Sequence, residues 1–354
     1  DEMMRVCGAV TVNDYGDSMT NLIRSNDDAN FPWLGALIGS AIIGFWYWCT
    51  DQFIVQRVLS GKNEMEARRG TIFGAYLKLL PVFLFLIPGM IAFALHQKYI
   101  GAGGEGFLPM LANGTANADA AFPTLVAKLL PAGVKGLVVC GILAALMSSL
   151  ASLFNSSAML FTIDFYKRFR PETPEKKLVG IGQVATVVIV ILGILWIPIM
   201  RSVGDVLYTY LQDVQSVLAP GIAAAFLLGI CWKRTSAQGG MWGLIAGMVI
   251  GLTRLGAKVY YSNAGEVADS TFKYLFYDMN WLFFCGWMFL FCIIVVIVVS
   301  LATKAPTAEK IQGLVFGTAT KEQKAATRAS WNHWDIIHTV IILAITGAFY
   351  WYFW

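Results

Sequence analysis

The sequence predicts an all-α membrane protein with about eight transmembrane helices, and two observations carry this prediction. Of the 354 residues, 57% are hydrophobic and only 14% are charged, whereas roughly a quarter of the residues of a soluble protein are charged. Apolar stretches of about 18 residues or more also recur along the chain, and each can cross a bilayer core of about 30 Å as a helix. Together these observations exclude a soluble globular protein.

Eight apolar stretches are the candidate membrane spans. Those that begin near residues 33, 204 and 237 contain more Gly and polar residues than the others. The predicted spans are residues 33–55, 71–97, 133–165, 177–200, 204–231, 237–258, 278–303 and 334–354.

Lysine and arginine residues alternate between the loops, and this alternation predicts the orientation of the chain. The loops after the first, third, fifth and seventh spans are basic, whereas residues 101–124 and 262–272 contain neither Lys nor Arg. Basic loops are retained in the cytoplasm, so we expect both ends of this chain to be extracytoplasmic. The net charge of +4 reflects these loops and does not indicate a nucleic-acid partner.

The polar segment 1–32, which begins with Asp1, is interpreted as an extracytoplasmic loop. A membrane protein seldom starts translation in an exported loop without a signal peptide. We therefore expect further spans upstream of Asp1.

The first span ends in the segment Trp46–Gln52, which places a carboxylate, a hydroxyl group and large aromatic rings at membrane depth. An ionisable side chain inside a bilayer costs roughly 2.5 kcal/mol or more unless it faces protein or water, so it indicates a transport pathway. For Asp51 itself, capping of interrupted backbone or pairing with Arg57 is favoured over substrate contact.

Glycine and proline residues are expected to break several spans. Backbone groups freed at a break need side chains, ligands or water as partners, and broken helices form binding sites in secondary transporters. A single Gly or Pro often produces only a kink, so only clustering with polar residues favours a site. The candidate positions are Gly35, Gly39, Gly44, Pro81, Pro88, Pro198 and Pro220–Gly221.

Three polar groups of residues lie inside predicted spans. Lys78 can hydrogen-bond a hydroxylated solute, or it can extend toward the cytoplasmic face. Gln212 offers a donor and an acceptor, as a sugar requires, but an interhelical hydrogen bond is an equal alternative. In span three, the hydroxyl groups of Ser148, Ser149 and Ser152 with the Ala145 carbonyl provide neutral oxygens for an alkali ion, although spacing alone favours close helix packing.

Several segments closely resemble the sodium/glucose cotransporters, which belong to the wider sodium/solute symporter family with its LeuT-like inverted-repeat fold. The resemblance runs from about residue 31 to residue 304. The segments that carry it are Trp46–Arg57, Tyr76–Leu79, Leu146–Leu150 with Phe154–Ser156 and Leu160–Asp164, and Ala224–Leu228 with Cys231–Arg234.

The resemblance implies how the chain is organised. It places the second repeat of the transporter core here, followed by additional helices, with the first repeat upstream. The implied divisions are 1–32, an extracytoplasmic loop; 33–231, the second five-helix repeat; 232–303, additional transmembrane helices; 304–333, a cytoplasmic loop; and 334–354, the final transmembrane helix.

The resemblance also implies a set of site residues. Tyr47 matches the aromatic residue that stacks on the sugar, with Trp48 beside it, and Lys78 and Gln212 match sugar-contacting residues. Gly44 also lies in this pocket, where sugar-transporting relatives usually carry Asn or Thr; this difference puts the identity of the substrate in doubt. The sodium ligands implied for this repeat are Ala145, through its carbonyl, and the hydroxyl groups of Ser148 and Ser149.

The expected function is sodium-coupled import of a glucose- or galactose-like sugar by alternating access, with sodium ion as the coupling ion. A sodium symporter for a polyol such as inositol or for a non-sugar solute, and a non-transporting sugar sensor of the same fold, remain alternatives. An enzyme is not expected, because the three His residues form no recognisable catalytic or metal motif. The expected partners are the sugar and the lipid bilayer, and the expected location is the plasma membrane, or the inner membrane in a bacterium.

Overall fold

The computed structural model describes residues 2–12, 14, 16–111, 114–203, 207–264 and 268–353, without the side chains of residues 199, 201–203 and 263. Its regular structure over these residues is helical. The helices are α1 (Glu2–Gly8), α2 (Trp33–Cys49), α3 (Gln52–Leu59), α4 (Glu64–Pro81), α5 (Ile87–Gly101), α6 (Ala121–Leu129), α7 (Ala132–Met159), α8 (Lys167–Phe169), α9 (Glu175–Val203), α10 (Leu207–Cys231), α11 (Ala237–Asn263), α12 (Thr271–Lys273), α13 (Trp281–Ala302), α14 (Ala308–Ile311), α15 (Lys321–Ala329) and α16 (His333–Tyr352). Shorter helical turns are the 3₁₀ turn Ala118–Ala120 and the π-helical turns Val82–Leu86, Leu160–Tyr166 and Tyr274–Asp278.

The predicted spans coincide with helices of the structure. Within the described ranges, seven helices are long and apolar enough to cross a membrane, and the bent pair α2 and α3 forms an eighth if it counts as one span. The first three residues of the predicted span 204–231 lie outside the described residues. The seven are Glu64–Gly101, Ala132–Phe169, Glu175–Pro198, Leu207–Cys231, Ala237–Ser262, Trp281–Ala302 and His333–Tyr352.

The bend between α2 and α3 has a local cause. The chain turns by 49° at Thr50 and Asp51, where Asp51 has extended backbone dihedrals and its carboxylate accepts a hydrogen bond from the Phe53 N–H at 3.1 Å. A carboxylate at this position satisfies a backbone donor at the start of a helix. The expected capping role of Asp51 is therefore confirmed.

The expected proline breaks are found only in part. A π-helical turn follows Pro81, as expected where proline removes a backbone donor. However, α9 continues through Pro198 and α10 through Pro220, so the expectation of breaks at these two prolines was wrong. Proline crowds only the turn before it, and a continuous helix accommodates it as a local adjustment.

The expected breaks at Gly35, Gly39 and Gly44 are likewise absent, because all three residues lie inside α2, and α10 continues through Gly221. The small size of Gly35 and Gly39 serves packing against α13. A Cβ atom on Gly39 would lie only 2.9 Å from the Leu282 carbonyl oxygen, and a Cβ on Gly35 would lie 3.1 Å from Leu282 Cβ. The first glycines of this span therefore permit close helix contact.

The chain divides into two compact units, residues 1–94 with 207–354, and residues 95–206. In the first unit, α2, α10, α11 and α13 pack around a core. Its buried residues include Ile42, Ile43, Ala219, Ala223, Leu282 and Cys285.

Four glycines spaced by four residues line one side of α11: Gly239, Gly243, Gly247 and Gly251. The first two face α13, where Val296 lies close to both. The last two face α10: a Cβ on Gly247 would lie 2.9 Å from Gly221 Cα, and one on Gly251 would lie 2.7 Å from the Val217 carbonyl oxygen. Residues four apart share a helix face, so this ladder brings the three backbones together.

In the second unit, α7 packs against α9. The loop that precedes α6 is held by His96, whose Nδ1 accepts a hydrogen bond from the Leu108 N–H at 3.0 Å. The most apolar stretch of α7 has no buried residue, whereas Ser156 and Ala158 near its end are buried.

Candidate functional site

Tyr47, Trp48 and Lys78 form a cluster where α2 ends, and we call it the aromatic-lysine cluster. The Lys78 Nζ atom lies 5.3 Å from the centroid of the Tyr47 ring and 5.4 Å from that of the Trp48 ring. The two rings stand nearly perpendicular, at 88°, with centroids 5.4 Å apart. Sequence reasoning selected these three residues from separate segments, and the structure brings them together.

The helix ends explain how the cluster forms. Tyr47 and Trp48 lie in the last turn of α2, the bend at Asp51 redirects the chain into α3, and α3 packs on α4, which carries Lys78. An ammonium group over aromatic rings is attracted by about 0.5–2 kcal/mol, depending on desolvation. The cluster is accessible, because Trp48 is 44% exposed and Lys78 is also exposed.

This arrangement suits a hydroxylated ring. Aromatic side chains offer an apolar face to C–H groups, while an ammonium group donates hydrogen bonds to hydroxyl oxygens. A binding site with a few oriented polar groups among aromatic residues is the usual form for a small-molecule ligand.

Gly44 lies on α2, three residues before Tyr47 and four before Trp48, and therefore on the same side of the helix. A Cβ atom built on Gly44 would meet no atom within 4 Å. The space beside this glycine is open, so packing does not explain the absence of a side chain there.

Gln212 is half-buried in the second turn of α10. Among the described residues it makes no hydrogen bond or ring contact with the aromatic-lysine cluster. The structure therefore does not join Gln212 directly to the other predicted substrate residues.

Next to Gln212 lies a largely buried group of charges that sequence reasoning missed: Asp213, Arg254 and the partly exposed Lys258, here called the charge cluster. Arg254 Nη2 lies 3.4 Å from Asp213 Oδ1, and Lys258 Nζ lies 2.5 Å from Oδ2. Arg254 is fully buried. A usable signal existed in the sequence, because two cations four residues apart in an apolar helix mark one face that needs an anion.

Other groups complete the environment of Arg254. Its Nη2 donates to the Met279 carbonyl at 2.8 Å, and its guanidinium carbon lies 4.0 Å from the centroid of the Phe284 ring. Asp213 compensates one of the two positive charges, so the cluster keeps a net charge of plus one. Buried charges are tolerated only when they are paired and hydrogen-bonded, which makes Asp213 essential to this part of the structure.

The predicted sodium ligands lie in the second unit. Ala145, Ser148 and Ser149 are on α7 at positions i, i+3 and i+4, so they share one face, and all three are exposed. The Ser148 carbonyl accepts a hydrogen bond from Ser152 Oγ at 3.1 Å. Ser148 and Ser149 therefore present their hydroxyl groups on an uncovered helix face.

A cavity of about 400 Å³ lies elsewhere in the first unit, between the middle of α4 and the N-terminal part of α16. None of the predicted site residues lines it, so it is not the candidate substrate site. Its polar and aromatic lining includes Arg69, Tyr76, Asn332, Trp334, Asp335 and His338.

The fold defines an integral, multi-pass α-helical membrane protein with polar clusters between its helices. The model of the Sodium:solute symporter family matches residues 1–247. The chain therefore belongs to the sodium:solute symporter family.

Curated relatives with similar sequences are named as cotransporters. The sodium/mannose cotransporter of Bos taurus is 36% identical over 345 residues, which is 94% of this chain and 58% of the relative. Human sodium/myo-inositol cotransporter 2 is 38% identical over 300 residues, or 84% of this chain and 44% of the relative. Human sodium/glucose cotransporter 4 is 39% identical over 304 residues, which is 84% of this chain and 44% of the relative. The chain thus spans about half the length of the curated relatives it matches.

Proposed function

We propose that this chain forms part of a sodium-coupled symporter that imports a sugar, of the glucose or galactose type, by alternating access. The aromatic-lysine cluster is the single observation that carries this proposal, because it combines ring faces and an ammonium group within one accessible site. Family membership and the names of the relatives support the same class of transport.

The proposed roles of the substrate residues follow from their chemistry. Tyr47 and Trp48 stack on the C–H face of the solute, and Lys78 donates to its hydroxyl oxygens. Gln212 forms hydrogen bonds with a further hydroxyl group, as both donor and acceptor. Gly44 leaves room that water or a larger substituent fills.

A polyol is the second candidate substrate, and the open space beside Gly44 favours it. A cyclitol such as inositol carries a hydroxyl group on every ring carbon and has no ring oxygen, so it can fill this space with a polar group. Several relatives are named as sodium/myo-inositol cotransporters. A non-transporting sensor of the same fold would bind the same solutes without accumulating them.

Sodium is the proposed coupling ion, and its ligands here are the Ala145 carbonyl and the Ser148 and Ser149 hydroxyl groups. The exposed face that they share leaves room for further oxygen ligands. Coupling is reciprocal: if bound sodium favours solute binding by some factor, bound solute favours sodium by the same factor. Neutral ligands leave the ionic charge uncompensated, so transport carries charge and the membrane potential drives it inward, at about 2.3 kcal/mol per charge per 100 mV.

The proposed arrangement in the membrane follows the distribution of basic residues. Residues 33–231 form the second five-helix repeat, residues 232–303 and 334–354 are additional spans, and residues 304–333 are cytoplasmic. Both ends face outward, and the protein resides in the plasma membrane or a bacterial inner membrane. Its role is transport and not catalysis.

Uptake of radiolabelled glucose, galactose and inositol into proteoliposomes tests the substrate. The full-length polypeptide and its Tyr47→Ala and Tyr47→Phe variants are compared with sodium and with choline outside. We expect sodium-dependent uptake of glucose or galactose that Tyr47→Ala weakens and that Tyr47→Phe, which keeps the ring, retains. Uptake of inositol alone would move the assignment to a polyol, and absence of sodium-dependent uptake of all three would contradict the sugar and polyol proposals.

A further inference from the structure

We propose that Asp213 is a positioning residue for substrate binding. Held by Arg254 and Lys258, it fixes the rotation of the N-terminal half of α10 and thereby the direction of Gln212. This inference rests on the proposed function, because it takes Gln212 as a substrate contact.

The anchor is directional and involves several elements. Both carboxylate oxygens of Asp213 are engaged by cations of α11, at 3.4 Å and 2.5 Å. Arg254 is in turn fixed by the Met279 carbonyl, which follows the π-helical turn Tyr274–Asp278, and by the Phe284 ring of α13. Rotation of α10 would therefore break both of these ion pairs.

The adjacent residues Asp213 and Gln212 of α10 differ in burial. Asp213, Ser216, Val217 and Pro220 are spaced by three or four residues and are all buried, so they form one face. Gln212 and Gln215 are only partly buried. Adjacent residues on an α-helix point about 100° apart, so the direction of Asp213 determines that of Gln212.

Other contacts between α10 and α11 set distance more than rotation. Gly221 meets Gly247, and Val217 meets Gly251. Van der Waals contacts at glycine have no preferred direction. A carboxylate that is hydrogen-bonded to two cations, in contrast, has a preferred direction. The charge cluster thus adds a directional contact to the packing of α10 against α2, α11 and α13.

A double-mutant cycle between Lys258 and Gln212 tests this inference in the full-length polypeptide. Lys258→Met removes one cation but leaves Asp213 paired with Arg254, so the buried charges balance. Lys258→Met, Gln212→Ala and the double variant are compared with the unmodified protein. The readouts are the half-saturating solute and sodium concentrations of uptake and the midpoint of thermal unfolding.

We expect Lys258→Met to raise the half-saturating solute concentration roughly fivefold when Gln212 is present and less than twofold in the Gln212→Ala background, because coupled residues are non-additive. The half-saturating sodium concentration should stay within a factor of about two. Equal increases in both backgrounds, or no increase in either, would overturn the inference. A lowered thermal midpoint without a change in solute affinity would also overturn it, since it would indicate a purely structural role.

Two further variants complete the design. Asp213→Glu keeps the charge but moves the carboxylate by one methylene group. If Lys258→Met fails to fold, Asp213→Glu replaces it in the double-mutant cycle with Gln212→Ala. We expect the same pattern of solute affinities. Lys273→Met is the matched control: it removes an ion pair of 2.8 Å with Asp269 outside the spans and should leave the solute affinity unchanged.

The outcomes distinguish failure of the positioning role of Asp213 from failure of the proposed function. If Gln212→Ala weakens solute binding but Lys258→Met does not, the role of Gln212 stands and the positioning role of Asp213 fails. If Gln212→Ala has no effect, its assignment as a substrate contact fails. If the unmodified protein shows no sodium-dependent uptake, the proposed function itself fails.

Discussion

The ammonium group of Lys78 lies almost equally far from the Tyr47 and Trp48 rings, at 5.3 Å and 5.4 Å from their centroids. The side chain of Lys78 thus lies against the last turn of α2. We therefore expect the ammonium group and the two rings to act together as one site.

Lys78→Met should therefore weaken substrate binding. The methionine side chain keeps the length but cannot donate a hydrogen bond, and a hydrogen bond to a charged group contributes about 1.5–3 kcal/mol. We expect the half-saturating solute concentration to rise roughly tenfold or more, measured by uptake. Lys62→Met, in an exposed loop, is the control, and an equal change in both variants would argue against a role for the cluster.

Ser149→Ala should reduce the affinity for sodium. Its effect on the amount of folded protein should be smaller. Loss of one of few neutral ligands is expected to raise the half-saturating sodium concentration several-fold. Thr186→Ala removes a hydroxyl group in the same unit that donates to the Gly182 carbonyl at 3.0 Å, and it should leave sodium dependence intact. An unchanged sodium dependence in Ser149→Ala would remove this serine from the ligand set.

Asp51 should affect stability more than substrate binding. Its carboxylate caps α3, so Asp51→Ala is expected to lower the free energy of unfolding by about 1 kcal/mol, whereas Asp51→Asn keeps a capping oxygen and should remain close to the unmodified protein. Thermal unfolding in detergent measures both. A large loss of solute affinity in Asp51→Asn, with stability retained, would instead indicate direct substrate contact.

Gly44 and Gly247 should respond differently to the same substitution. Gly247→Ala would bring a methyl group to 2.9 Å from Gly221 Cα, and overpacking of this kind costs about 1–3 kcal/mol. Gly44→Ala has free space and should leave the thermal midpoint unchanged. Comparable losses of stability in the two variants would contradict the close approach of α10 and α11.

The membrane spans could be predicted from the sequence because long apolar runs are a strong local signal. The bend after Cys49 could be anticipated from Thr50 and Asp51, but the continuity of α9 and α10 through Pro198 and Pro220 could not. Whether proline breaks a membrane helix depends on neighbouring helices that supply partners, and these are not visible in a local pattern.

The candidate site was predictable to a similar extent. Tyr47, Trp48 and Lys78 could be selected from the resemblance, yet their contact depends on the turn between α2 and α4. The pairing of Asp213 with Arg254 and Lys258 joins residues more than forty positions apart, and no local spacing predicts which buried charge meets which. The glycine ladder of α11 was visible in the sequence, but the helix that each glycine contacts was not.

The most direct test of the central proposal is solute accumulation by proteoliposomes that contain the full-length polypeptide, with an imposed inward sodium gradient at a clamped membrane potential. We predict that the internal solute concentration transiently exceeds the external one and that an ionophore that dissipates the sodium gradient abolishes this excess. Equilibration without accumulation, unaffected by the ionophore, would contradict sodium-coupled symport.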